Sequence, residues 1–209
     1  MLGNITSKSD VATGAFTYGL NAGPNALTRV NGNTGAIPTV MQDIEYSSFN
    51  KVARITEEQR SPVYGPEYAR KIMERYENSI LVSTKIYVGL YEKEVNGTDV
   101  KEVHYLNAGD GLFAIYTRRN QSGGSLAYVL KDHLGSIQCL TNESGALTEE
   151  LSFDAWGRRR DKDNWTYTLS SEPALFAGRG YTAHEHLTDL NLVNMNGRLC
   201  GPLVGRLSF

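Results

Sequence analysis

This chain of 209 residues lacks several features that would settle its chemistry quickly. It has only 2 cysteines, Cys139 and Cys200, too few for a disulfide framework, and no CxxC spacing of the zinc kind. Apolar runs reach only a few residues, so no transmembrane helix is expected. Met1-Leu2-Gly3-Asn4 has neither the basic start nor the apolar run of a signal peptide. Neither charge sign dominates: 21 Lys and Arg stand against 23 Asp and Glu, a net charge of -2. Such a chain sets up no field that would draw nucleic acid or an anionic membrane.

Gly (21) and Tyr (12) are abundant, and hydrophobic residues make up 40%. Glycine spread evenly among aromatic and β-branched residues is the composition of many short strands joined by tight turns. The length fits one large domain or two small ones, with enough chain for a real core.

Residues 1–40 are rich in Gly, Asn, Thr and Pro, as in Tyr18-Gly19-Leu20-Asn21-Ala22-Gly23-Pro24-Asn25. They read either as short strands docked on the rest or as a loose arm. Residues 67–76 fit two periods. Tyr68, Ile72 and Tyr76 are spaced for a helix face, whereas Tyr68, Arg70, Ile72, Glu74 and Tyr76 also alternate as a strand. Strand is preferred, because the next segment needs a partner. That segment puts Ile80, Val82, Thr84, Ile86 and Val88 on one strand face and Leu81, Ser83, Lys85 and Tyr87 on the other. Glu77-Asn78-Ser79 is the expected hairpin loop before it, and Asn96-Gly97 marks another hairpin. A turn roughly every ten residues is the pattern of a repeat architecture. Residues 160–174 read as a surface loop, and 175–199 as a last strand or short helix.

The most organised stretch runs from Tyr128 to Arg159. Tyr128 to Lys131 has strand period, Asp132-His133-Leu134-Gly135 breaks it, Ile137 to Thr141 resumes it, and Asn142-Glu143-Ser144-Gly145 turns again. Leu147, Glu149, Leu151 and Phe153 then share a face, and Phe153-Asp154-Ala155-Trp156-Gly157-Arg158 closes the unit. Asp132 and Asp154 are expected to accept hydrogen bonds from turn amides, as Asx residues do. Gly157 is expected to permit the bend, the Phe153 ring to stack on its equivalent in the next repeat, and Arg158 to pair with a carboxylate.

These residues resemble the repeat-associated core of Rhs proteins, the bacterial YD-repeat proteins. Asp132-His133-Leu134-Gly135-Ser136 is similar to that core's DHLGS motif, and Phe153 to Arg158 to its YDxxGR repeat with Phe for Tyr. Gly180-Tyr181-Thr182-Ala183-His184-Glu185-His186-Leu187 resembles its GYTGHEHL, with Ala183 where the family has Gly. Asn194-Met195-Asn196-Gly197-Arg198-Leu199 resembles its NMNGRLYDP segment. Tyr46-Ser47-Ser48-Phe49-Asn50-Lys51-Val52 is similar to a diverged YDxxGR unit with Asn50 at the turn, and Leu2-Gly3-Asn4-Ile5-Thr6 to another repeat's GNIT turn.

The resemblance implies an all-β fold of consecutive antiparallel β-hairpins, a strip of a YD-repeat shell with a less regular C-terminal cap. It divides the chain into a diverged hairpin region, 1–127, and a truncated repeat-associated core, 128–209. The implied structural residues are Asp132, His133, Gly135, Phe153, Asp154, Gly157, Arg158, Asn196, Gly197 and Arg198. In the family such strips enclose a C-terminal toxin inside a secreted or cell-surface shell, so the implied role is structural. The implied partner is a parent shell, or a second copy adding a strand, with no nucleic acid and no membrane span. An isolated strip is expected to associate through its sheet edges, with Ile80–Val88 poorly protected if it lies at one, and 1–40 and 202–209 covering little.

Chemical readings compete with this one. Family cores are aspartyl self-cleaving proteases, but here Leu199 is followed by Cys200-Gly201-Pro202 in place of the YDP segment, and the chain stops at Phe209 without a DPxG motif. An ionisable acid is replaced by a residue that has none, so no catalytic residue is assigned. His184-Glu185-His186 has two imidazoles on one side of a strand, as a metal site would use, yet HExxH spacing and a third ligand are missing. These residues are expected to hydrogen-bond a turn in the core, with no metal and no cofactor. Asp132, His133 and Ser136 are sequence neighbours, and triad members must converge from separate positions. A glycan-binding module is the remaining alternative, which exposed rows including Trp156 and Trp165 would favour.

Overall fold

The computed structural model describes residues 4–19, 24–25, 27–37, 44–49, 51–55, 60–167, 169, 175–196 and 198–207. They form β1 (Phe16–Tyr18), β2 (Leu27–Val30), β3 (Ile44–Tyr46), β4 (Val52–Ile55), β5 (Arg60–Tyr64) and β6 (Arg70–Glu77). There follow β7 (Ile80–Val88), β8 (Tyr91–Asn96), β9 (Asp99–Ala108), β10 (Gly111–Arg119), β11 (Ser125–Lys131), β12 (Ile137–Thr141) and β13 (Leu147–Glu150). The last are β14 (Glu185–Leu187), β15 (Leu192–Asn194), β16 (Leu199–Gly201) and β17 (Arg206–Leu207). Strands β3 to β13 make one 11-stranded antiparallel sheet in chain order, and β14 to β17 a second sheet, also in order. The expected all-β succession of hairpins is what the chain adopts. The larger sheet runs across the 127/128 boundary, which falls inside β11.

Residues 70–77 are strand β6, paired with β5 on one side and β7 on the other, so ladder pairing overrides the helical spacing of Tyr68, Ile72 and Tyr76. Strand β7 is interior and not an edge. Its buried side is Ser83 and Tyr87, with Lys85 between them, while Ile80 and Val88 are exposed. Asn78 and Ser79 both take positive φ between the paired Glu77 and Ile80, the pattern of a type I′ turn. At the β8–β9 hairpin Asn96 pairs with Asp99, so Gly97 and Thr98 are the central residues, and Gly97 supplies the positive φ.

One loop geometry recurs. In 132–136, 142–146 and 154–158 the first residue's N–H donates to the fifth residue's carbonyl, and the fourth residue's N–H donates back to the first carbonyl. In each, the Asx Oδ1 accepts from the third and fifth amides at 2.8–3.0 Å. The fourth residue is Gly135, Gly145 or Gly157, with φ between +81° and +86°. The same backbone pair closes 65–69, with Tyr68 at φ +58°, and 180–184, with Ala183 at φ +55°. Ser47 and Lys51 close the diverged unit alike, by Ser47 N–H to Lys51 carbonyl at 2.7 Å and Lys51 N–H to Ser47 Oγ at 3.1 Å. Asn50, expected at its turn, lies outside the described residues.

Residues 175–199 carry three strands and two 3-10 turns, Tyr181–Ala183 and Thr188–Leu190, instead of one strand or helix. Strands of three residues show no alternation, and these are buried along most of their length. Leu187, Leu190, Leu192 and Leu199 pack with Val52 and Ile55 of β4. Leu175 and Ala177 pack with Val103, Tyr105, Ile115, Ala127, Val129 and Leu140 of β9 to β12. One face of the large sheet is thereby covered, and fully burying such side chains stabilises by about 1.5–3 kcal/mol each.

The two ends of the chain also meet, which resolves the docked and loose readings of 1–40 in favour of docking for the described residues. Val11, Ala12 and Phe16 are buried with Val204 packed against them. Arg206 donates to Asn4 Oδ1 and to the Asn25 carbonyl, both at 2.7 Å, while β17 completes the second sheet. None of these described residues pairs with β3 or β13, the end strands of the large sheet.

Ala183 holds a left-handed backbone that costs a residue with a Cβ roughly 1–2 kcal/mol. Ala183→Gly is expected to raise the unfolding free energy by about 1 kcal/mol, part of the relief being offset by glycine's entropy. Urea denaturation checks this, and a fall in stability would contradict it.

Candidate functional site

The motifs identified in the sequence converge on the loop 180–186. Ser136 is fully buried, and its Oγ accepts from the Thr182 N–H at 3.1 Å, while the Ile137 N–H donates to the Gly180 carbonyl at 3.0 Å. The Phe153 ring lies 5.5 Å from His186 and 6.1 Å from Tyr181, not against another repeat's aromatic as expected. Gly157 passes under Tyr181, where an added Cβ would meet the ring at 2.6 Å. The Tyr181 hydroxyl donates to the Ala155 carbonyl at 2.7 Å.

Asp132 and Asp154 cap their loops, and Tyr167 also donates to Asp154 Oδ2 at 3.0 Å. Arg158 pairs with Asp10 at 3.0 Å and stacks on Tyr167 at 3.8 Å. His133 is exposed, and Ser136 Oγ is engaged elsewhere, so Asp132, His133 and Ser136 do not form a triad. Asn196, at φ +61°, and Arg198 are exposed between the buried strands β15 and β16, and Gly197 lies outside the described residues. Trp156 and Trp165 are both exposed, with Arg160 stacked on Trp165 at 4.7 Å.

Each histidine of His184-Glu185-His186 has a ring nitrogen in a hydrogen bond. His186 Nε2 accepts from the Tyr181 N–H at 3.0 Å, and His184 Nδ1 shares a hydrogen bond with Thr182 Oγ1 at 2.7 Å. Among the described residues no group of three His, Cys, Asp or Glu side chains is placed to hold an ion. Burial, helped by Arg159 and His184, lowers the His186 pKa to about 4.

Glu185 instead anchors a charged cluster between the two sheets. It is 6% exposed, and Glu92 on β8 is 2% exposed. Glu185 Oε2 accepts from Arg70 of β6, and its Oε1 accepts from Lys85 Nζ at 2.7 Å and from the Tyr87 hydroxyl at 3.0 Å. Lys85 also reaches Glu92 Oε2 at 2.8 Å. Glu92 further accepts from Arg179 and, at 3.0 Å, from the Tyr105 hydroxyl. Burial pushes the Glu185 carboxyl up, but Arg70 and Lys85 outweigh it and hold the group well below the usual carboxylate range. Burial and the nearby carboxylates push both phenols well up, so Tyr87 and Tyr105 stay protonated donors. Sequence reading missed this cluster, whose members lie up to 115 residues apart. The one available signal was Lys85, a charge on an otherwise regular strand face.

No family model and no curated protein matches the chain. Solved structures do. One titled as a crystal structure of TcdB2-TccC3 superimposes with a TM-score of 0.60 at 15% identity, over 79% of this chain and 9% of the other. A Photorhabdus luminescens Tc holotoxin pore with a substitution in TccC3 gives 0.64 at 13% identity, over 82% and 9%. The chain thus spans about a tenth of those chains, and the likeness is one of fold alone. Among the described residues no helix is long and apolar enough to cross a membrane.

Removing one partner from a buried charge cluster leaves the others uncompensated, at a cost of about 3–5 kcal/mol. Glu185→Gln is expected to lose that much in urea unfolding at pH 7.5, and a loss below about 1 kcal/mol would contradict a buried, fully engaged carboxylate.

Two acid windows should be separable. His186 is neutral in the fold, so its contribution is complete above about pH 6.5 and is lost between 6.5 and 4, about 3 kcal/mol at most. Glu185 is ionised in the fold, so its contribution is present above about 4.5 and is lost below that. Stability measured from pH 7.5 to 3.5 is expected to flatten in the upper window for His186→Gln and in the lower for Glu185→Gln. An unchanged slope in either variant would remove that group from the account.

Proposed function

We propose that this chain is a structural strip of a toxin-enclosing shell. The observation that supports it most is the eleven-stranded meander, β3 to β13 in strict chain order, whose fold recurs in structures of a Tc toxin complex and holotoxin pore. A sheet that adds one hairpin after another has no intrinsic stopping point, so it suits a wall of any extent. In this reading the chain pairs by strand addition with a parent shell or a second copy, through the outer sides of β3 and β13. Each has a single sheet neighbour among the described residues. Unpaired edges are templates for another chain. Sedimentation is expected to show concentration-dependent association, with negative-stain images showing curved walls. A clean monomer at about 100 μM with a cooperative thermal transition would overturn the strip reading.

The role is structural and not enzymatic. Gly201 stands where the resemblance places the acid of a self-cleaving core, and it is buried in β16. A Cβ there would already lie 3.0 Å from Val204 Cγ2, so a carboxylate has no room without repacking. Intact mass followed over days after refolding is expected to stay constant. Appearance of a chain shortened at its C-terminal end, abolished by Asp132→Asn or Asp154→Asn, would establish the protease reading instead.

A further inference from the structure

The loop 161–166 repeats the Asx-closed geometry with one residue more. The Asp161 N–H donates to the Thr166 carbonyl at 2.8 Å, and the Trp165 N–H donates back to the Asp161 carbonyl at 3.0 Å. Asp161 Oδ1 accepts from the Asp163 and Asn164 amides, both at 2.9 Å. Trp165, at φ +61°, thus holds the left-handed position that Gly135, Gly145 and Gly157 hold in the other loops. That backbone is costly for any residue with a Cβ. The fold gains little in return: the indole is 65% exposed, and its one ring contact among the described residues is Arg160. A disfavoured backbone kept for a side chain that the fold does not bury points to a role outside the fold.

Two residues along, the same construction is closed. Arg158 stacks on Tyr167 and pairs with Asp10, and the Tyr167 hydroxyl donates to Asp154. The Arg160–Trp165 pair has no such acid among the described residues. Arg160 Nε donates to Ser152 Oγ at 2.9 Å, which fixes the guanidinium, but Nη1 and Nη2 have no acceptor there and are not buried. The nearby acids are committed, Asp161 to its loop amides and Asp163 to Lys162 at 2.7 Å. Asn164 and Thr166 flank the indole in sequence and are exposed, and the Asn164 side-chain NH2 and the Thr166 hydroxyl are unbonded among the described residues.

We infer that this loop binds an acidic sugar, its ring laid on the Trp165 indole and its carboxylate on the Arg160 fork. The negative face of an aromatic ring attracts the polarised C–H groups of a sugar. A guanidinium presents paired donors in a fork that matches a carboxylate's two oxygens. The amide and hydroxyl beside the ring suit sugar hydroxyls, which both donate and accept. One ring and one fork span a single sugar, far short of the roughly 800 Å² that a protein partner covers.

Methyl glucuronide is the probe, methyl glucoside its neutral match, and acetate the bare carboxylate, all at one ionic strength. The chain has 2 tryptophans, so its nitrogen–proton NMR spectrum carries two indole signals, which Trp165→Gly assigns. Methyl glucuronide is expected to shift the Trp165 signal saturably with a Kd of about 5 mM or tighter, methyl glucoside to bind at least about threefold more weakly, and acetate to leave the signal in place. Trp165→Gly is expected to abolish binding with a urea midpoint unchanged or raised, and Arg160→Gln to bind glucuronide and glucoside alike. No saturable shift by about 50 mM, or equal affinity of the unaltered chain for the two glycosides, would overturn the inference. A lower urea midpoint for Trp165→Gly would make the indole part of the fold and overturn it too. Tetraglutamate shifting the same signal at lower concentration than methyl glucuronide would assign the surface to an acidic protein segment instead.

Discussion

Two carboxylates buried between two sheets constrain everything else in this molecule. Glu185 and Glu92 each receive three donors, and those donors come from β6, β7, β9 and the segment before β14. An apolar contact of the same area would tolerate a slide of one sheet over the other, because burial has no direction. Hydrogen bonds to charged groups do not tolerate it, since a displaced donor leaves a buried charge unpaired. The cluster therefore sets which strand of the C-terminal sheet lies over which hairpin. The leucines on one side and the β9–β12 core on the other then close around it.

The five-residue loop is the second device, and it is local. An Asx at the first position and Gly at the fourth satisfy the turn amides within the loop itself, so each hairpin closes without help from its neighbours. Where the sequence departs from that pattern, tertiary contacts hold the geometry. Ala183 takes its left-handed backbone with its carbonyl bound by Arg179, and Tyr68 does so with its ring 4.8 Å from Phe49. The motifs at 132–136, 154–158 and 180–186 are thus both turn closures and the surfaces on which the C-terminal region docks.

What could be read from the sequence follows this division. Asp132, Gly135, Asp154 and Gly157 were legible because cap and bend lie within five residues of one another. Strand β7 was legible from its alternation, but which side faced the core was not, because the apolar side is the exposed one and the buried side carries Ser83, Lys85 and Tyr87. Strands β14 to β16 were too short to display a period. The Glu185 cluster left only Lys85 as a signal because it pairs residues from distant hairpins, and the Glu between two histidines drew attention to metal chemistry instead.

The coupling of Arg70 to Glu185 across the two sheets tests this account most directly. A double-mutant cycle with Arg70→Met, Glu185→Leu and the pair, read by urea unfolding, isolates their interaction from the rest of each side chain. The account expects each single variant to lose several kcal/mol and the double variant to recover part of that loss, with a coupling of about 2–3 kcal/mol. Losses that add within about 0.5 kcal/mol would mean that the buried charges do not hold the sheets in register.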